Sequence, residues 1–179
     1  LELHGSLAYV HNRFRNYVGQ CYAFTYAAGT DPTTASTPAG CSFVNPGIDL
    51  LLEQDYQGKT PARSPDLTGS FGASFETEIS PTLQFGLSGD AYYSDDYNAS
   101  DALSPAAQQS DFWRFNASAH LGGTDDRWRI SLIGKNLTNK HYVLFAADRT
   151  GGSDLPGIGE QRGAIARGRE VAIQIGYQF

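Results

Sequence analysis

The sequence lacks any apolar run approaching the ~18 residues that a membrane-crossing helix requires, and its mean hydropathy is only -0.36. A transmembrane helix is therefore excluded. Membrane-spanning strands are not, because they are apolar on one face only and averaged hydropathy conceals them. Methionine is absent and cysteine occurs twice, at Cys21 and Cys41, too few for a zinc site, which takes about four ligands at short spacings. Charge is scarce, at 18% of residues against about 25% in an average protein. The 13 Lys and Arg are outnumbered by 19 Asp and Glu, for a net charge of -6. That balance argues against a nucleic-acid partner, whose phosphates need clustered cations. The opening residues, Leu1 to Tyr9, have neither the basic nor the apolar region of a signal peptide, and their alternation is already under way at Leu1. We expect the chain to be a fragment whose export signal lies upstream.

What is present is 20 Gly and 12% aromatics, with 10 Tyr and 10 Phe against 2 Trp, a profile that favours an all-β chain with tight turns. No long helical period occurs. Period-two segments recur instead, and strict alternation marks a strand with one apolar and one polar face. The clearest is the last, where Val171, Ile173, Ile175, Tyr177 and Phe179 alternate with Ala172, Gln174, Gly176 and Gln178. The first runs from about Leu1 to Val18, with Leu3, Leu7 and Tyr9 opposed to Glu2, His4 and Ser6. A second spans about Pro65 to Glu76, with Leu67, Phe71, Ala73 and Phe75 on one face. A third follows Pro81, setting Leu83, Phe85, Leu87, Ala91 and Tyr93 against Gln84, Gly86, Ser88 and Asp90. The fourth sets Trp113, Phe115, Ala117, Ala119 and Leu121 against Arg114, Asn116, Ser118 and His120, and the fifth sets Trp128, Ile130 and Leu132 against Arg129, Ser131 and Lys135.

Connections alternate in length. Those after the second and fourth segments are short. The other three, of roughly forty residues, Asp95 to Ser110, and about Ala146 to Arg167, are long and rich in Gly, Pro, Ser and Asp. Short turns at one end and long loops at the other are the layout of an outer-membrane barrel. A soluble β-sandwich also alternates. Against it stand runs of nine or more residues, near the ~9–11 of a membrane strand. Trp113, Trp128, Tyr93, Tyr177 and Phe179 also fall near strand ends, as in an aromatic girdle. Apolar-face positions carry no charge, whereas Glu2, Asp66, Asp90, Arg114, Arg129 and Lys135 all fall on the opposite face. Lipid on one side and a lumen on the other explains that segregation, since hydrocarbon forces every strand to pair and every outward side chain to be apolar. We expect an antiparallel up-and-down transmembrane β-barrel whose lumen is faced by His4, Asp90, Arg114, His120, Arg129 and Lys135. About six strands are too few to close one alone, since single-chain bacterial barrels begin at about eight.

The stretch Ile133-Gly134-Lys135-Asn136-Leu137-Thr138-Asn139-Lys140-His141-Tyr142 resembles the Lys-Asn-Leu-x-Asp-x-x-Tyr segment near the end of TonB-dependent outer-membrane receptors. Gly168-Arg169 and the ending Tyr177-Gln178-Phe179 are similar to the last strand of that family, and Gly58-Lys59-Thr60-Pro61-Ala62-Arg63-Ser64-Pro65 to the start of an earlier one. Asn139 stands where Asp is usual, and Ala166-Arg167 replaces a common Pro. The resemblance covers nearly the whole chain. It implies that residues 1–179 are the C-terminal part of a 22-stranded barrel domain, about its last six strands, in the outer membrane of a Gram-negative bacterium. The plug domain and TonB box would lie upstream. The implied function is TonB-energised uptake of a scarce ligand such as a ferric siderophore, cobalamin or a glycan. The implied partners are the lipid bilayer, TonB, and the assembly machinery that reads Tyr177 and Phe179. The alternatives are a non-transporting barrel with a structural, adhesive or enzymatic role, and a soluble sandwich binding module.

No residue pattern suggests bond chemistry, so we expect no enzyme, no cofactor and no metal. Cys21 and Cys41, in the first long loop, are expected to form an extracellular disulfide. His4 and His120 are read as hydrogen-bonded lumen residues. No Ser/His/Asp set has a recognisable local signature. Gly151-Gly152 and Gly157-x-Gly159 are read as loop glycines. Asp95-Asp96 and Asp125-Asp126 are read as turn carboxylates, the first pair weighed as a Ca²⁺ site and set aside for a solvated pair.

Overall fold

The computed structural model describes residues 1–149 and 155–179. It is all-β. Six strands form one antiparallel sheet: β1 (Glu2–Tyr9), β2 (Leu67–Ser80), β3 (Leu83–Ser94), β4 (Phe112–Gly123), β5 (Trp128–Lys135) and β6 (Glu170–Tyr177). Spatial order equals chain order, so the sheet is a meander in which every neighbour is consecutive. The sheet is open. Among the described residues β1 and β6 pair on one side only and no barrel closes; hence neither closure nor a 22-strand count is a property of this structure.

The register confirms the two faces. Leu3, Ala73, Gly89, Ala117, Gly134 and Val171 follow one another across the sheet on one side, as do Phe75, Leu87, Ala119, Leu132 and Ile173. On the other side run His4, Gly72, Asp90 and Asn116, and likewise Glu76, Gly86, His120, Ser131 and Gln174. A slip of one residue in any strand would carry charge onto the apolar side, which is what fixes the register.

Strand limits differ from expectation in three places. The first segment leaves the sheet at Tyr9 rather than Val18. Val10 makes one last bond to the Asp66 carbonyl, and Asn16 then turns left-handed at φ 47°, which an extended strand cannot accommodate. β2 continues past Glu76 to Ser80, with a bulge between Glu78 and Ser80. β5 stops at Lys135, so the third long connection begins there and not at about Ala146, and Asn136–Tyr142 lies outside the strand. The long connections accordingly cover residues 10–66, 95–111 and 136–169. The two short turns bond to each other at the opposite end, where Thr124 donates to the carbonyls of Pro81 and Thr82.

The long loops fold together. Val18–Gln20 and Cys41–Phe43 flank Leu52–Asp55, Val143–Asp148 pairs with Gln161–Ile165, and Phe24–Thr25 pairs with Gly157–Ile158. Tyr97–Asn98 pairs with Gln108–Gln109 beside a 3-10 turn at Pro105–Ala107. The core sits in this cap, not against the sheet. Ala99, Ala107 and Ala146 pack together, with Tyr97 and Val143 around them. In the six strands the only buried residues other than glycine are Ser94 and Phe112, both at the loop end. β1 and β6 are exposed over their whole length.

Candidate functional site

The polar face is a surface of short cross-strand contacts. Ser6 meets Ser70 at 2.7 Å and Ser88 meets Ser118 at 2.8 Å. The Asn116 amide donates to Asp90 at 2.6 Å. His120 Nε2 lies 3.2 Å from Glu76, which Arg129 approaches at 4.0 Å; Arg129 reaches Asp126 at 3.5 Å. His4 and His120 owe their positions to glycines opposite. A Cβ on Gly72 would lie 2.3 Å from His4 Nε2, and one on Gly86 would lie 2.0 Å from the His120 ring. Each imidazole thus fills the space over a bare backbone that a side chain would take, and any larger residue there would push it off.

At the loop end, Phe112 and Tyr142 stack with centroids 4.2 Å apart. Arg114 donates to the Tyr142 hydroxyl at 3.2 Å, and its guanidinium sits 5.3 Å from the Tyr92 centroid, a cation–π contact. Asn136, buried and left-handed at φ 50°, holds the turn after β5. Its amide donates to the carbonyls of Lys140 (2.8 Å) and Arg167 (3.0 Å) and its side-chain oxygen accepts from the Lys140 N–H (2.9 Å). Asn139, also left-handed, accepts from the Arg169 N–H at 2.8 Å. A Cβ on Gly168 would lie 2.6 Å from that same Asn139 oxygen. Leu137 lies over Gly134, so Asn136, Leu137, Tyr142, Gly168 and Arg169 form one junction between β5 and β6. Lys135 lies beside it, opposite Glu170.

Between the first and second long loops lies a polar cavity of about 560 Å³, lined by Arg13, Lys59, Asp66, Asp95, Asp96 and Gln108 among others. Arg13 grips Asp66 with two bonds, 3.1 and 2.8 Å. That grip holds the Asp66 carboxyl below the ordinary carboxylate range. Burial pushes the Lys59 ammonium down, and Lys59 donates to Gln54 at 2.6 Å. Burial likewise raises the phenols of Tyr22, Tyr26, Tyr56 and Tyr97. Asp95 and Asp96 are engaged by the Asp96 N–H and by Gln108. No group of three or more His, Cys, Asp or Glu poised for a metal occurs among the described residues.

Cys21 and Cys41 are bonded, with Cα atoms 5.9 Å apart. They tie together the two outer segments that flank Leu52–Asp55. Tyr177 and Phe179 meet edge to face at 5.2 Å, both exposed. Gly157 and Gly159 pin the third loop to the first, through Thr25 and Ala23; Gly151 and Gly152 lie outside the described residues. Arg13, Gln54 and Glu76 went unnoticed in the sequence, because each depends on a partner at least five residues away that no local pattern reveals.

Two aromatic groups bound the apolar face. Tyr93 and Trp113 lie 5.0 Å apart at the loop end. Trp128, in register with Tyr177, lies over Gly123 at the turn end. From Trp113 to Gly123 the strand advances about 33 Å, which at a tilt of roughly 40° gives a band about 25 Å tall, the height of the apolar belt of a membrane barrel. No family model matches the chain, and no curated protein or solved structure is detectably similar to it.

Proposed function

We propose that this chain is the C-terminal wall of a TonB-dependent outer-membrane receptor, contributing six barrel strands, part of the lumen lining and three extracellular loops. The observation that carries the reading is the apolar face itself. It holds no charge, stays exposed (Phe71 59%, Ile173 72%, Ile175 74%), and is bounded by aromatics about 33 Å apart along the strand, which the roughly 40° tilt of a barrel strand would shorten to about 25 Å across a membrane. A water-soluble monomer rarely leaves more than ~300–600 Å² of contiguous apolar surface bare. A sandwich would cover the face with a second sheet, and among the described residues no such sheet packs there. Lipid satisfies it. The two open edges ask for further strands, as a larger barrel supplies. The ordered motifs from Lys135 to Arg169 and the aromatic ending favour the receptor family among barrels.

In this reading the chain performs no bond chemistry. The ligand is of the scarce, carrier-bound type: a ferric siderophore, cobalamin or a glycan. Spin labels at Ile173 and Gln174 test the orientation. Oxygen, which partitions into lipid, should relax the first more strongly, and a water-soluble nickel chelate the second. Equal aqueous access to both rejects the membrane assignment. Uptake of ferric chelates by cells carrying the intact receptor should stop when a protonophore collapses the inner-membrane gradient; undiminished uptake rejects the energised transporter.

A further inference from the structure

In a chain of net charge -6, one cleft gathers cations without matching anions. It has a volume of about 350 Å³ and is lined at the loop end of the polar face by Arg114, Asn116, Lys135, Tyr142, Arg167 and Glu170, among others. Glu170 is its one carboxylate, and it is engaged by Arg167 at 3.3 Å. Asp90, next in the row, is held by Asn116. Arg114 and Lys135 have no carboxylate within salt-bridge distance among the described residues.

Arg114 is fixed rather than mobile. Its Nη1 donates to Tyr142, its Cζ lies 5.3 Å from the Tyr92 ring centroid, and its Nε is buried without a hydrogen-bond partner among the described residues. A partly desolvated guanidinium with no counter-charge is unfavourable on its own. Its Nη2 makes no bond to the described residues. The Tyr142 oxygen accepts from Arg114 and so keeps its own O–H to donate. Lys135 is exposed at the mouth and adds a mobile point charge. These three donors converge on one opening from strands β4 and β5 and the turn that follows.

We propose that Arg114, Lys135 and the Tyr142 hydroxyl form a binding site for a small oxyanion, a carboxylate- or phosphate-bearing solute. The site does not depend on the transporter reading, because it needs only the local junction. Tyr142 is stacked on Phe112, and the Arg114 guanidinium lies over the Tyr92 ring. Acetate and phosphate distinguish the two chemistries, phosphate having the further oxygen that Lys135 can reach.

The test is calorimetric titration of the protein in its native, full-length form at low ionic strength with inorganic phosphate and, separately, with acetate, in detergent and in detergent-free buffer. Whether the chain needs detergent bears on the membrane assignment alone. Binding with a Kd on the order of 1 mM is expected for one or both anions. Loss of the charge-assisted bonds in R114Q should weaken it about tenfold, and K135Q should weaken it about threefold. R162Q, which removes an exposed cation from the cap, should leave it unchanged. No binding of either anion by the parent chain, or equal effects of all three substitutions, overturns the site. Should R114Q lose the aromatic circular-dichroism signal of the Phe112–Tyr142 stack, K135Q decides, since Lys135 is exposed and outside that stack; unaltered affinity in K135Q then counts against the proposal.

Discussion

Asn136 shows how one residue can carry a junction. A left-handed backbone is unfavourable for most side chains and least so for Asn, and the Asn136 amide occupies both its donor and acceptor on Lys140 and Arg167. Replacing it with Ala removes three buried hydrogen bonds at about 1 kcal/mol each and leaves the strained φ, so N136A should cost roughly 2–4 kcal/mol. Urea unfolding in detergent measures this; a cost under about 0.5 kcal/mol would mean that the clamp is dispensable. Asp66 makes a different prediction. Its folded-state carboxyl is held below its ordinary value by Arg13, so the unfolded chain binds the proton more tightly. The stabilisation is complete above the unfolded carboxylate range near pH 4 and is lost as pH falls below it. In D66N that acid-dependent loss should shrink, as read by unfolding midpoints between about pH 5 and pH 2.5. The place of Asn136 in an ordered motif and of Asp66 on the polar face was legible in the sequence; their partners were not, because Arg167 lies 31 residues from Asn136 and Arg13 lies 53 from Asp66.

At the scale of the strand, alternation was a faithful guide to faces and a poor one to ends. All six segments exist, in the expected order, with the expected residues on each side. Period two says which way a side chain points wherever pairing holds. It does not say where pairing stops, which at Tyr9 is where the partner strand begins, at Leu67 two residues after Pro65. The ribbons inside the loops were invisible, since segments of two to six residues among glycine and proline carry no measurable period. The face assignment yields a paired test on β6. Ile173 sits mid-strand on the apolar side, beside Leu132; Gln174 is its immediate neighbour on the polar side, beside Ser131. In a bilayer, I173R should destabilise by about 2–4 kcal/mol and Q174R by about 1 kcal/mol or less. Reversible unfolding from lipid vesicles compares them, and equal costs would mean that both faces see the same solvent.

The whole molecule is divided between a sheet without a core and a cap that has one. On the proposed reading, deleting Phe179, exposed and edge-on against Tyr177, should leave the folded sheet intact yet lower the amount of protein inserted into the outer membrane; unchanged insertion removes the proposed role in assembly. The cap is held by contacts that cross between loops: Arg63 N–H to the Asn98 carbonyl, Ala146 N–H to the Ala99 carbonyl, and Ala23 N–H to Asp148 at 2.8 Å. The Cys21–Cys41 bond acts inside the first loop only. Closing about twenty residues removes unfolded-chain entropy worth roughly 3 kcal/mol, but that chain is the loop, and the six-strand ladder does not pass through it. In the C21S/C41S double variant, residues 18–55 should therefore exchange their amide hydrogens faster, while 67–94 and 112–135 keep their protection. Hydrogen exchange read by mass spectrometry separates the two regions. Equal acceleration in the strands would show that the cap and the sheet unfold as one unit, and that the disulfide stabilises the sheet through the packed loops.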